Sequence, residues 1–128
     1  MTVNAKQMEA VLKLPAPVRY SHFIKKVVGW GKMWGLYSDG WAMSDAPDGK
    51  AVLPLWPERA YAERMIAGEW STYEPRSIEI DEALDRMIPM LRERGILPGV
   101  FFDAELGSVD CTLDELENDL RAELSKYS

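Results

Sequence analysis

The 128-residue chain has one cysteine, one histidine and no apolar run longer than a few residues. A lone Cys111 excludes an internal disulfide and any cysteine-cluster metal site. With His22 as the only imidazole, most zinc schemes fall away too. The apolar runs stop far short of the ~20 residues that span a bilayer, so no membrane association is expected. The start, Met1 to Lys6, lacks the basic-then-apolar plan of a signal peptide. No Gly-x-Ser-x-Gly elbow is present. The segment Gly29-Trp30-Gly31-Lys32-Met33-Trp34-Gly35 looks glycine-rich, but it follows a helical pattern and precedes a strand pattern. That is the reverse of a dinucleotide fingerprint, and Lys32 lacks the Ser/Thr neighbour of a phosphate loop. No cofactor and no metal are expected.

An apolar share of 47% is enough for a real core, and 28% charged residues with 10% aromatics argue against disorder. The length suits one domain over residues 1–128. Charge is uneven within the net −6: residues 1–32 hold six cations against Glu9 alone, whereas residues 101–128 hold eight acids against Arg121 and Lys126. Overall acidity repels phosphate backbones, so nucleic acid is not expected as a partner. The N-terminal cations either touch an anion or neutralise the acidic last helix. The second reading is favoured, because a charge run is usually a solvated face.

Local patterning predicts an α+β fold: an antiparallel sheet, as a three-strand meander plus one or two further strands, with N-terminal, middle and C-terminal helices packed on it. Asn4 caps a helix over 4–13, and Pro15 and Pro17 open a second one ended by Gly29 and Gly31. Residues 33–38 and 41–44 around Asp39-Gly40 read as a hairpin. Ala51 to Trp56 supplies the third strand, and Pro54, with no N–H to donate, places it at an edge or ends it early. A helix is expected over 57–67, a loop over 69–76 and a strand over 77–80. Asp81 should then cap a helix through Arg94, which Pro89 should kink or whose start it should bias. A buried strand follows over 96–103. Thr112 and Glu115 form a capping box before a seam of Leu113, Leu116, Leu120, Leu124 and Tyr127. That seam docks within its own domain or supports a homodimer through the C-terminal helix.

Catalytic constellations are weak. Cys111 precedes a helix start, which lowers a thiol pKa, but Asp110 and Asp114 beside it oppose a thiolate. His22 lies near Lys25 and Lys26, which disfavour its protonation. The distinctive feature is five tryptophans within 41 residues, Trp30, Trp34, Trp41, Trp56 and Trp70, joined by Tyr37, Tyr61 and Tyr73. Large rings serve cores and interfaces alike. Trp34 and Tyr37 fall on opposite faces of one strand, so one of them needs a cover beyond the domain's own helices. Trp34, Tyr37, Trp56, Trp70, Tyr73 and Glu74 are therefore the candidate binding residues.

Leu53-Pro54-Leu55-Trp56-Pro57, then Tyr61-Ala62, Glu69-Trp70, Tyr73-Glu74-Pro75 and Ile78, resemble the small bacterial proteins grouped as domain of unknown function 2750. Trp41 and Gly99-Val100-Phe101 fit as well, so the resemblance spans about residues 10–125. It implies a bacterial cytoplasmic protein and carries over no catalytic residue. The expected function is a non-enzymatic protein-binding module, regulatory or immunity-like, presenting an aromatic patch with an acidic rim to an unidentified protein partner. The alternative is a small-molecule-binding protein or small enzyme with a pocket around Trp70, Tyr73 and Glu74.

Overall fold

The computed structural model describes residues 4–103, 107–109 and 111–127, so Glu105 and Asp110 lie outside the described residues. In chain order the elements are α1 (Ala5–Leu12), α2 (Ala16–Trp30), β1 (Lys32–Tyr37), β2 (Ser44–Asp45), β3 (Ala51–Leu55), α3 (Arg59–Glu63), β4 (Glu74–Glu79), α4 over 80–94, β5 (Leu97–Asp103), β6 (Gly107–Val109) and α5 (Leu113–Ser125). The expected α+β class holds.

Helix ends follow their capping chemistry. Asn4 Oδ1 accepts from the Gln7 N–H at 2.8 Å, and Gln7 Oε1 accepts from the Asn4 N–H at 3.1 Å. Thr112 and Glu115 repeat this box at the start of α5, at 3.0 and 2.9 Å. Each box satisfies two donors that a helix start leaves free. Helix α2 runs through Gly29 and stops at Gly31, whose left-handed φ of 79° lets its N–H return to the Val27 carbonyl. Helix α4 starts at Ile80, one residue before the expected cap, so Asp81 sits in the first turn where its charge favours the dipole. Ahead of Pro89, α4 widens into a π segment over Ala83–Met87, with the Ile88 N–H bonded to the Ala83 carbonyl, and α-helical bonding resumes at Ile88 with Pro89 in its first turn. Pro89 has no N–H to offer and needs room beside the preceding turn, and the wider turn meets both needs.

The strands pair differently from the expected meander. β1 pairs antiparallel with β4, in register from Lys32 opposite Glu79 to Tyr37 opposite Glu74. Residues 74–76, expected as loop, are thereby drawn into a strand. The Asp39-Gly40 turn forms, but only Tyr37 and Trp41 bridge across it. The Trp41 ring instead lies over Gly35, where a Cβ would stand 3.0 Å from it. A second sheet has the order β2-β3-β5-β6, with β3 and β5 parallel. The Trp34 and Trp56 backbones exchange hydrogen bonds of 2.8 and 2.9 Å, which ties β1 to the end of β3.

β3 is therefore not an edge strand of its sheet, but its ladder with β2 ends early, as the second expectation for Pro54 had it. β2 covers β3 only at Ala51 and Val52, and the next pairing on that side is at Trp56. Pro54 falls in the gap, where a residue without an N–H leaves no donor unpaired. α3 is shorter than the expected 57–67 helix, ending at Arg64 before a 3₁₀ turn over Gly68–Trp70.

Buried side chains make one cluster around Trp56, Tyr61, Phe23, Phe101 and Met33. In the C-terminal seam, Leu116 and Leu120 are sealed inside it, while Tyr127 is exposed. Among the described residues no helix is long and apolar enough to cross a membrane.

Gly99 sits opposite Pro54 in the parallel pair, and a Cβ there would stand 2.6 Å from Val52 Cγ1 and 3.2 Å from the Leu53 carbonyl oxygen. Gly99→Ala should destabilise the protein by about 1–3 kcal/mol, since a packed sheet interior has no slack for a methyl group. Urea unfolding checks this.

Candidate functional site

β5 does not run straight. Phe101 adopts φ 55°, and the β5–β6 register shifts between Val100 and Asp103. For a residue with a Cβ this backbone region costs about 1–3 kcal/mol unless the surroundings hold it. They do: the fully buried Phe101 ring packs against Phe23, Tyr61 and His22 at centroid distances of 6.2, 5.1 and 5.9 Å. A bulge of this kind re-aims the side chains that follow it. Phe102 emerges half-buried, and the Asp103 carboxylate accepts from Arg64 Nη1 at 2.8 Å. The Trp56 indole Nε1–H donates to the Phe102 carbonyl at 2.8 Å, inside the stretch where the register shifts.

Two clefts share Phe102 and Ser44. One, about 540 Å³, opens over β2, β3, β5 and β6 towards the start of α5, with Asp45, Val52, Leu97, Cys111 and Glu115 among its walls. The other, about 560 Å³, is walled by Arg64, Met65, Gly68, Glu69, Trp70 and Asp103. Phe102 is the apolar ridge between them, and Trp70, its ring centroid 5.5 Å away, floors the second. Four acids (Asp45, Glu69, Asp103, Glu115) and one base (Arg64) line the pair. Arg64 is 41% exposed in its pair with the 9%-exposed Asp103, so its guanidinium also faces the cleft.

The titratable side chains that line the clefts are Asp45, Glu69, Asp103, Glu115, Arg64 and Cys111. Among the described residues no cluster of three His, Cys, Asp or Glu could hold a metal ion. Among the described residues His22 Nε2 is sealed from solvent with no hydrogen-bond partner, so no nucleophile is bonded to that nitrogen. Burial, reinforced by Glu58 and opposed by Arg64, pushes the Tyr61 hydroxyl up to about 12. Burial and the hydrogen bond to Asp119 raise Tyr20 far above the ordinary tyrosine value. Both phenols stay neutral, with neither an acid nor a base in the physiological range.

The six sequence-predicted residues separate. Trp70 lies under the second cleft, 7% exposed. Trp56 is 1% exposed in the core. Trp34 and Tyr37 are half-buried on β1, with Lys32 and Arg59 over the Trp34 ring at 5.3 and 5.9 Å and Arg76 over the Tyr37 ring at 3.8 Å. Glu74 is exposed opposite Tyr37, and Tyr73 is half-buried against the core. Neither lines the Trp70 cleft. The residues that sequence reasoning missed are Ser44, Arg64, Phe102 and Asp103. The run Phe101-Phe102-Asp103, two rings and then an acid at a strand end, was the available signal.

The family described as "Protein of unknown function (DUF2750)" matches residues 20–120. The chain belongs to that family. Both clefts lie inside the DUF2750 span, as does the bulge that shapes them. No curated protein matches the chain.

Burial, and then the charge of Lys26, hold the His22 imidazole below the ordinary 6.5. The unfolded chain therefore takes up this proton at a higher pH than the folded one, and stability rises with pH across that window. As pH falls below 6.5, the protein should lose stability relative to a His22→Gln variant, read as urea midpoints along a pH series.

Proposed function

We propose that this DUF2750 protein is a non-enzymatic cytoplasmic binding module that takes a basic segment of a protein partner along the groove on either side of Phe102. The observation that carries this reading is the pairing of an apolar Phe102–Trp70 floor with a wall of four acids against one base. Large rings in a half-desolvated depression supply contact area, and the acids select a cationic partner and speed its encounter. The rings over β1 are a less suitable patch for such a partner, because Lys32, Arg59 and Arg76 already lie against them. The net charge of −6 acts in the same direction over longer range.

A small-molecule ligand in the Trp70 cleft is the second reading. Its support is the cleft volume of about 560 Å³ together with the half-exposed Arg64 guanidinium, which suits a carboxylate or phosphate group. A metabolite that raises the melting temperature of the wild type but not of Arg64→Met would favour it.

A photo-cross-linking residue placed at Met65, in the groove wall, should capture one protein partner in cells of the native host. The same residue at Arg76, on the β1–β4 sheet, should not. Asp45→Lys combined with Glu69→Lys should weaken the captured complex by about tenfold or more. Capture from position 76 alone, or affinity unchanged by the double reversal, would count against the groove.

A further inference from the structure

The N-terminal cations do not neutralise the acidic last helix. In α5, Asp114 and Glu117 pair with Arg92, Glu117 also with Arg121, and Glu123 with Lys126. Among the described residues, none of Lys6, Lys13, Arg19, Lys25, Lys26 and Lys32 stands in an ion pair.

Arg19 differs from the other five. It is only 9% exposed, and its Nε and Nη1 are sealed from solvent with no hydrogen-bond partner. A guanidinium cannot shed its charge in a protein, and a buried charge left uncompensated is among the costliest arrangements a fold can carry. One turn further along α2, His22 Nε2 is also sealed and unpartnered. Arg19, His22, Lys26 and Trp30 recur at i, i+3, i+7 and i+11, which places them on one stripe of the helix.

The stripe climbs out of the protein. Arg19 is buried, His22 and Lys26 are half-buried, and Trp30 is 53% exposed. Its inner end adjoins the bulge, since Phe101 packs on His22 and Phe23, three and four residues beyond Arg19. A depression of about 480 Å³ opens at its outer end, lined by His22, Lys25, Lys26, Gly29 and Trp30. No Asp or Glu occurs between Arg19 and Lys32. Unmet donors at the inner end, unpaired cations at the mouth and no competing carboxylate on the helix together specify an anion.

We propose that the depression at the outer end of this stripe binds a phosphate-type oxyanion between His22 and Lys26 in its wall, with the uncompensated charge of Arg19, one turn deeper, drawing the anion in. The anion is either free or the terminal group of a larger molecule whose body lies over Trp30. The site is separate from the Phe102 groove and does not rest on the reading of that groove.

His22 is the only histidine, so its ring resonances are unambiguous in NMR of the full chain. Titration with inorganic phosphate should move them saturably in the low-millimolar range, while chloride at matched ionic strength should not. Arg19→Gln should weaken phosphate binding by about tenfold, and Lys26→Gln by a few-fold. In phosphate-free buffer Arg19→Gln should fold at least as stably as the wild type, because it removes an uncompensated buried charge. Should it fail to fold, Lys26→Gln carries the affinity test alone. A phosphomonoester that binds more tightly than phosphate assigns the depression beside Trp30 to the ligand; equal affinities assign the free anion. No saturable response, an equal response to chloride, or full affinity in the folded variants would overturn the proposal.

Discussion

The left-handed backbone of Phe101, held by the rings around it, is the constraint on which the rest of the arrangement depends. An L-residue in that region is strained, and the strain persists because burying a phenyl ring outweighs it: ~1–3 kcal/mol of backbone cost stands against ~3–5 kcal/mol for losing a buried ring. The ring therefore stays in the core and the backbone bends around it. Phe102 then points to the surface and Asp103 turns towards Arg64. The Trp56 indole completes the arrangement by bonding the Phe102 carbonyl, a polar group that burial would otherwise penalise.

Both candidate sites grow out of this one bend. On one side the clefts flank Phe102, so their apolar ridge exists only because the strand turns there. On the other side the α2 stripe packs its inner end onto the Phe101 ring through His22 and Phe23. The two surfaces carry opposite charge, acids around the groove and cations along the helix. A −6 chain can thus attract a basic partner at one face and hold a small anion at another.

Much of the fold was legible because its signals are local. The Asn4 and Thr112 caps, the stop at Gly95, the buried stripe of Ala83, Leu84, Met87, Ile88 and Leu91 and the Leu116–Leu120 seam all follow from residues within one or two turns of each other. Strand partners were not legible. Lys32 finds Glu79 and Val52 finds Leu97, pairings that no short-range pattern encodes. The Asp39-Gly40 turn signal was genuine, yet the Trp41 ring covers Gly35 in place of a full ladder, a matter of packing and not of turn chemistry. Of the six candidate residues, Trp70 is the one that lines either cleft. Arg64 and Asp103 are 39 residues apart and meet because α3 ends where β5 bends, and a strained φ at a phenylalanine leaves no trace in composition or periodicity.

Hydrogen exchange at the five indole N–H groups tests this account most directly. The Trp56 indole is sealed and bonded across the bulge, so its proton should exchange only through global unfolding. The Trp30 indole, on the exposed end of α2, should exchange in the dead time. A Trp56 proton as labile as that of Trp30 would mean that the bulge does not hold Phe102 in place, and the groove built upon it would have no fixed floor.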